Sequence, residues 1–102
     1  MIKMTTHETE IARQDGTEFR SVRLRLEDDG GIKMDAQDIG PTVTQFWDHD
    51  DYEFSVRVPP TAVSKLALEL LREKFSGQLG AVDAFRDWCK AHGVPYEFET
   101  WP

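Results

Sequence analysis

The chain has 102 residues, 39% of them hydrophobic and 30% charged, and nineteen acidic against twelve basic residues give a formal net charge of −7. This composition excludes a collagen, a coiled coil and a disulfide-stapled scaffold, and the 11% of aromatic residues disfavours a disordered chain. No apolar run approaches the ~18 residues of a transmembrane helix. We expect a single domain over residues 1–102, with one modest core.

The first third of the chain predicts three strands joined as a meander. Residues 7–14 form a polar, weakly patterned segment, and Asp15-Gly16 follows, a dipeptide typical of two-residue hairpin turns. Apolar and charged side chains then alternate over residues 22–26, which predicts a half-buried strand. Gly30-Gly31 indicates a second turn, and the alternation over residues 32–36 predicts a short third strand.

The middle of the chain predicts a short helix and a further strand. Pro41 follows Gly40, and proline is well tolerated at the first position of a helix, which we place at 41–47. The acidic stretch 48–51 is expected to be a loop. Alternation over residues 52–58 predicts the clearest strand of the chain, which the following prolines end.

The last part of the chain predicts two amphipathic helices and a final strand. Apolar residues share one face of a helix over 61–76, with Thr61 as its N-cap residue and Gly77 at its end. A second amphipathic helix covers residues 80–92. Alternation of aromatic and acidic residues then predicts a short strand over 96–99.

The order of these elements, β-β-β-short α-β-α-α-β, predicts an α+β fold. Its mainly antiparallel sheet would have four to five strands, with two helices packed on one face. The open face would carry four charged residues: Arg23, Arg25, Glu53 and Arg57. These arginines and Arg20 could form a positive strip, or they could pair with Glu27 and Glu53 across strands, which is the commoner use.

The acidic excess is concentrated between Glu27 and Glu53, where nine acids and one lysine give a charge of −8. This distribution disfavours binding to nucleic acid or to an anionic membrane surface, and it suits a basic protein partner. Its densest part supplies the candidate partner-binding residues: Trp47, Asp48, His49, Asp50, Asp51 and Glu53. The simpler interpretation of the same residues is a solvated turn.

No motif with catalytic or cofactor-binding spacing is present. The sequence has no phosphate-binding loop, no dinucleotide-binding glycine pattern and no nucleophile elbow. The carboxylates at 48–53 alternate as in a calcium loop, but the glycine and the glutamate that such a loop requires are missing. We therefore predict no catalytic residue, no cofactor and no metal ligand.

The single cysteine, Cys89, falls on the apolar face of the second amphipathic helix, where a small buried hydrophobe is expected. His92 lies in the last turn of that helix, where a cation is favoured by the helix dipole. A lone cysteine and the absence of a signal-peptide pattern predict a reducing, cytoplasmic compartment.

Short aromatic motifs mark the second half to two-thirds of the chain: Phe46-Trp47-Asp48, Asp51-Tyr52-Glu53 and Gly93-Val94-Pro95-Tyr96-Glu97-Phe98, with Trp101. They resemble a group of small, acidic, uncharacterised bacterial proteins. The resemblance implies a bacterial cytoplasmic protein and carries no activity.

The leading functional hypothesis is a small acidic protein-binding module without catalysis, similar in kind to immunity or regulator proteins. One alternative is a small ligand-binding protein or enzyme with a pocket between sheet and helices. Another is an oligomerising structural domain that pairs through an exposed edge strand or through Trp101.

Overall fold

The computed structural model describes residues 7–47 and 51–101 and confirms the α+β fold class. Its elements, in chain order, are β1 (Glu8–Gln14), β2 (Phe19–Leu26), β3 (Ile32–Ile39), α1 (Pro41–Trp47), β4 (Asp51–Val58), a 3-10 turn (Pro60–Ala62), α2 (Val63–Phe75) and α3 (Ala81–Ala91). The chain divides into two compact units, Met1–Leu66 and Ala67–Pro102. The single domain and the packing of the helices on one face of the sheet stay predictions.

The first unit contains a four-stranded antiparallel sheet with the order β1-β2-β3-β4, which confirms the predicted meander. Side chains alternate across a sheet, so its pairing register defines two faces. We call the face with the even-numbered residues of β2, β3 and β4 the apolar face. It carries rows such as Leu24, Met34 and Val56. The polar face carries the odd-numbered residues of the same strands.

A glycine connects the sheet to α1. Gly40 has a φ of +149°, and a Cβ atom there would lie 2.6 Å from the carbonyl oxygen of Thr17, so a larger residue would force the backbone apart. The close approach brings Glu18 to the start of α1, where its carboxylate accepts hydrogen bonds from the Thr42 N–H and hydroxyl at 2.9 and 2.7 Å. The loop from 15 to 18 is longer than the predicted two-residue turn.

Both long helices form, but the start of α2 differs from the prediction. Pro60 opens a 3-10 turn ahead of the helix, and Thr61 lies inside that turn, so Thr61 is not an N-cap residue. Gly77 and Gly93 follow the two helices with φ of +83° and +69°, which confirms the predicted helix ends. Cys89 is 3% exposed on α3, as expected for a small buried hydrophobe.

The predicted strand at 96–99 is wrong, because residues 94–101 have no regular secondary structure. A strand exists only through pairing with another strand, and alternation along one segment does not supply that partner. The aromatic side chains make a different contact. The Phe98 ring lies 4.5 Å from the Arg86 guanidinium carbon of α3, and the Val94 N–H donates to the Cys89 carbonyl.

Candidate protein-binding site

The predicted partner-binding residues fall in and around the start of β4. Trp47 is the last residue of α1, and Asp48, His49 and Asp50 lie outside the described residues. Asp51 opens β4 opposite Ile39, and Glu53 lies opposite Gln37. Both acidic residues are exposed and lie on the polar face, so the structure places two of the six candidates on a regular strand.

The polar face of β4 changes charge along the strand. Asp51 and Glu53 occupy its first half, Ser55 follows, and Arg57 lies near its end. The Arg57 Nε donates to Glu27, and its Nη2 donates to Asp29 at 2.5 Å. The hydrogen bond that Arg57 donates to Glu27 and the charge of Asp29 raise the pKa of the Arg57 guanidinium, which therefore stays cationic.

The opposite side of β4 is apolar and largely exposed. Phe54 is 42% exposed and Val56 71% exposed. The Tyr52 and Phe54 rings stack at 5.4 Å between centroids, and the Arg20 guanidinium carbon lies 5.3 Å from the Phe54 ring. This strand therefore offers apolar contact area on one face and charges on the other.

β4 is an edge strand, and its backbone is regular. It pairs with β3 over eight consecutive residue pairs without a bulge, and no strand among residues 7–47 and 51–101 pairs with its other side. Such a strand presents a row of N–H and C=O groups that can pair with another chain. β4 contains no proline, which would block that pairing at an edge.

β1, the other edge strand, has features that discourage strand addition. A bulge between Glu10 and Ala12 interrupts its register. Its charged side chains are held by ion pairs, because Glu10 contacts Arg13 at 3.0 Å and Glu8 lies 3.6 Å from Arg25. Since a bulge blunts a β-sheet edge and β4 has none, β4 is the more suitable edge for binding.

The arginines do not form the positive strip that the sequence left open. Arg20 lies on the apolar face, where it makes a bidentate ion pair with Asp38 at 2.5 and 2.6 Å. On the polar face Arg23 lies directly opposite Asp35 and Arg25 lies diagonal to it, and their Nε atoms are 3.0 and 3.1 Å from its carboxylate. The arginines are therefore paired with acids, as the alternative interpretation expected, but only Arg57 has a predicted partner, Glu27, and the others pair with Asp35 and Asp38.

Asp35 is the most deeply placed charge of the polar face, with 8% of its surface exposed. Its Oδ1 accepts a hydrogen bond from the Arg23 Nε. The Arg25 Nε is buried, and its approach to Asp35 is an ion pair without hydrogen-bond geometry. The two guanidiniums therefore lie between two carboxylates, Asp35 at close range and Glu8 at 3.6 to 3.9 Å.

A pocket of about 290 Å³ lies near the start of α1 in the first unit. Its lining includes Glu18, Arg20, Asp38 and Thr42. These polar groups already pair with one another, Arg20 with Asp38 and Glu18 with Thr42. A ligand would have to replace those contacts, so the pocket is less suited to binding than the edge of β4.

The second unit has an apolar groove and an ordered end of α3. An apolar groove of about 370 Å³ between α2 and α3 is lined by residues such as Leu68, Phe75 and Phe85. The His92 Nδ1 contacts the Trp88 carbonyl at 2.8 Å, and its ring stacks on the Trp88 ring at 4.0 Å. His92 is therefore the C-cap residue of α3.

Among residues 7–47 and 51–101, no three histidine, cysteine or acidic side chains come together in a way that could hold a metal ion. No helix in the same ranges is long and apolar enough to cross a bilayer. No protein-family model matches the chain, and comparisons with curated proteins and with solved structures give no match.

The sequence prediction of the site missed Arg57, Phe54 and Val56, although each was placed on the correct strand. A signal for them exists in the segment Asp51–Val58, which has acids early and a base late on one face and apolar residues on the other. That pattern is typical of a strand with two usable sides. Whether this strand is available for binding depends on its place in the sheet, which the sequence of residues 51–58 alone does not determine.

Proposed function

We propose that this protein is a protein-binding module without catalysis, and that it binds by adding a strand of a protein partner to the open edge of β4. One observation carries the proposal: β4 is an unbulged, exposed edge strand of eight residues. In strand addition, main-chain hydrogen bonds supply affinity, and alternate side chains supply specificity.

The side chains of β4 indicate which partner strand would fit. Phe54 and Val56 offer apolar contacts on one face, while Asp51 and Glu53 offer negative charge on the other. Cross-strand neighbours with opposite charge stabilise a sheet, and like charges destabilise it. In the matching strand, apolar residues would alternate with polar ones, and a basic residue would lie opposite the acids of β4. Such a strand agrees with the predicted basic protein partner.

Hydrogen exchange tests this proposal. In an antiparallel edge strand, N–H groups point alternately toward the neighbouring strand and toward the open edge. In the monomer at low protein concentration, we expect every second amide of β4 to exchange quickly and the others to be protected by β3. An eight-residue peptide in which lysine alternates with valine should slow the exchange of the edge amides.

The matched control is the same peptide with glutamate in place of lysine, which should protect the edge amides less because its charges repel Asp51 and Glu53. Uniform protection of all β4 amides in the dilute protein would show that the edge is already closed. No protection by either peptide would also contradict strand addition.

A further inference from the structure

We infer that the strand added to β4 is β4 of a second copy of this chain, so that two copies form one continuous eight-stranded antiparallel sheet. The inference rests on the proposed strand addition and names its partner. It is carried by the order of charges along β4 and by the exposed apolar residues on its other face.

The charges of β4 are complementary to themselves when the strand is reversed. Asp51 and Glu53 lie near the start of the polar face of β4, and Arg57 lies near its end. Antiparallel pairing reverses the order, so one acid of each copy, Asp51 or Glu53 according to the register, faces the arginine of the other. Parallel pairing would put acid beside acid and base beside base, which is destabilising.

If the twofold axis that relates the two copies passes through Phe54, the residue facing each position of β4 is defined. Asp51 then lies opposite Arg57 of the second copy, and Tyr52 lies opposite Val56 of the second copy. Phe54 lies opposite Phe54 of the second copy. Moving the axis to Ser55 places Glu53 opposite Arg57 instead. Directly opposite residues in an antiparallel pair lie on the same face, so the apolar face stays continuous across both copies.

The contacts of the described residues favour this edge and this occupant. Val56, at 71% exposure, and Phe54, at 42%, would gain apolar neighbours across the new pairing. The Arg57 side chain is ordered by ion pairs with Glu27 and Asp29 in the turn between β2 and β3, and pairing across the edge would share it with those carboxylates. β1 lacks an equivalent surface because its register is interrupted between Glu10 and Ala12.

A charge exchange between two variants tests the inference. In the double variant Asp51→Arg/Glu53→Arg, arginines face Arg57 of the other copy, and sedimentation equilibrium should show a dimer weakened roughly 10- to 30-fold. Arg57→Glu should also weaken its own dimer, because acids then face an acid. A mixture of the two variants should restore dimerisation, since every facing pair is again of opposite charge.

Glu97→Arg/Glu99→Arg is the matched control, because it changes the net charge by the same amount in the exposed segment after α3. Each copy carries a formal charge of −7, so both double variants reduce the repulsion between copies. The control should therefore dimerise at least as well as the natural chain. Should Arg57→Glu fail to fold beside Glu27 and Asp29, Arg57→Gln replaces it in the mixture.

The outcomes separate the two proposals. A natural chain that stays monomeric up to millimolar concentration overturns self-pairing, and so does a dimer that Asp51→Arg/Glu53→Arg weakens no more than the control does. If the lysine peptide still protects the edge of β4 in those cases, strand addition stands and the partner is a basic strand of another protein. If the natural chain does not dimerise and the lysine peptide does not protect the edge of β4, both proposals are overturned.

Discussion

Removal of the buried carboxylate on the polar face of the sheet should destabilise the protein strongly. Asp35 is 8% exposed and lies between the Arg23 and Arg25 guanidiniums, whose side chains are 30% and 34% exposed. In Asp35→Asn the two cations lose their closest carboxylate and keep only Glu8, which lies 3.9 Å from Arg23 and 3.6 Å from Arg25. Breaking a fully buried ion pair costs about 3–5 kcal/mol, and breaking an exposed one costs less than about 1 kcal/mol.

The partial exposure of both arginines places this site between the two limits, so we expect a loss of about 2 kcal/mol in the free energy of unfolding. For a chain of this size that loss corresponds to a fall of roughly 10 °C in Tm. Urea unfolding followed by circular dichroism measures it as a lower midpoint with an unchanged slope.

Asp15→Asn is the matched control, because it removes one charge from an ion pair in which the Asp15 side chain is 72% exposed. It should change the free energy of unfolding by less than about 0.5 kcal/mol. A double-mutant cycle with Arg23→Gln assigns the loss to the ion pair and should give a coupling of about 1 kcal/mol. Equal stability of Asp35→Asn and Asp15→Asn would refute the reasoning.

Two further predictions concern single groups. Cys89 should react with a thiol reagent only on unfolding, because its side chain is buried in α3, and rapid stoichiometric labelling of the native protein would contradict that burial. The hydrogen bond from the Ser21 hydroxyl, with a smaller effect of Arg13, lowers the pKa of Glu10, so its ionised form adds stability that is present above the ordinary glutamate pKa of ~4.3 and is lost in acid. The Glu10→Gln variant should therefore be less stable than the natural chain, and the difference in the free energy of unfolding should be larger at pH 7 than at pH 3. An equal difference at both pH values, measured by urea denaturation, would contradict this prediction.

Much of the secondary structure could be predicted because its causes are local. The alternation of apolar and charged residues located β2, β3 and β4, since a strand with one buried face needs that period. Helical periodicity located α2 and α3, and the positive φ of Gly77 and Gly93 fits their predicted ends. Alternation failed for residues 96–99, where Phe98 contacts Arg86 instead of a neighbouring strand.

The candidate site could be predicted only in part. The concentration of acids drew attention to the start of β4, but it gave no reason to include Arg57 or Val56. The opposite placement of Arg20 and Arg23 could have been found from sequence, since an odd spacing along one strand puts two side chains on opposite faces. The burial of Asp35 could not, because it depends on two arginines of the neighbouring strand.

The sequence by itself determined most of the elements of this protein and the distribution of its charge, because apolar periodicity, prolines and glycines act over a few neighbouring residues. Only the tertiary structure decided that β4 is an edge strand with a regular backbone and that β1 is an edge with a bulge. Strand order and register arise from contacts between distant segments, and a strand has the same local pattern at the edge of a sheet as in its middle. The position of β4 in the sheet decides whether its acids lie beside an open row of backbone hydrogen-bonding groups.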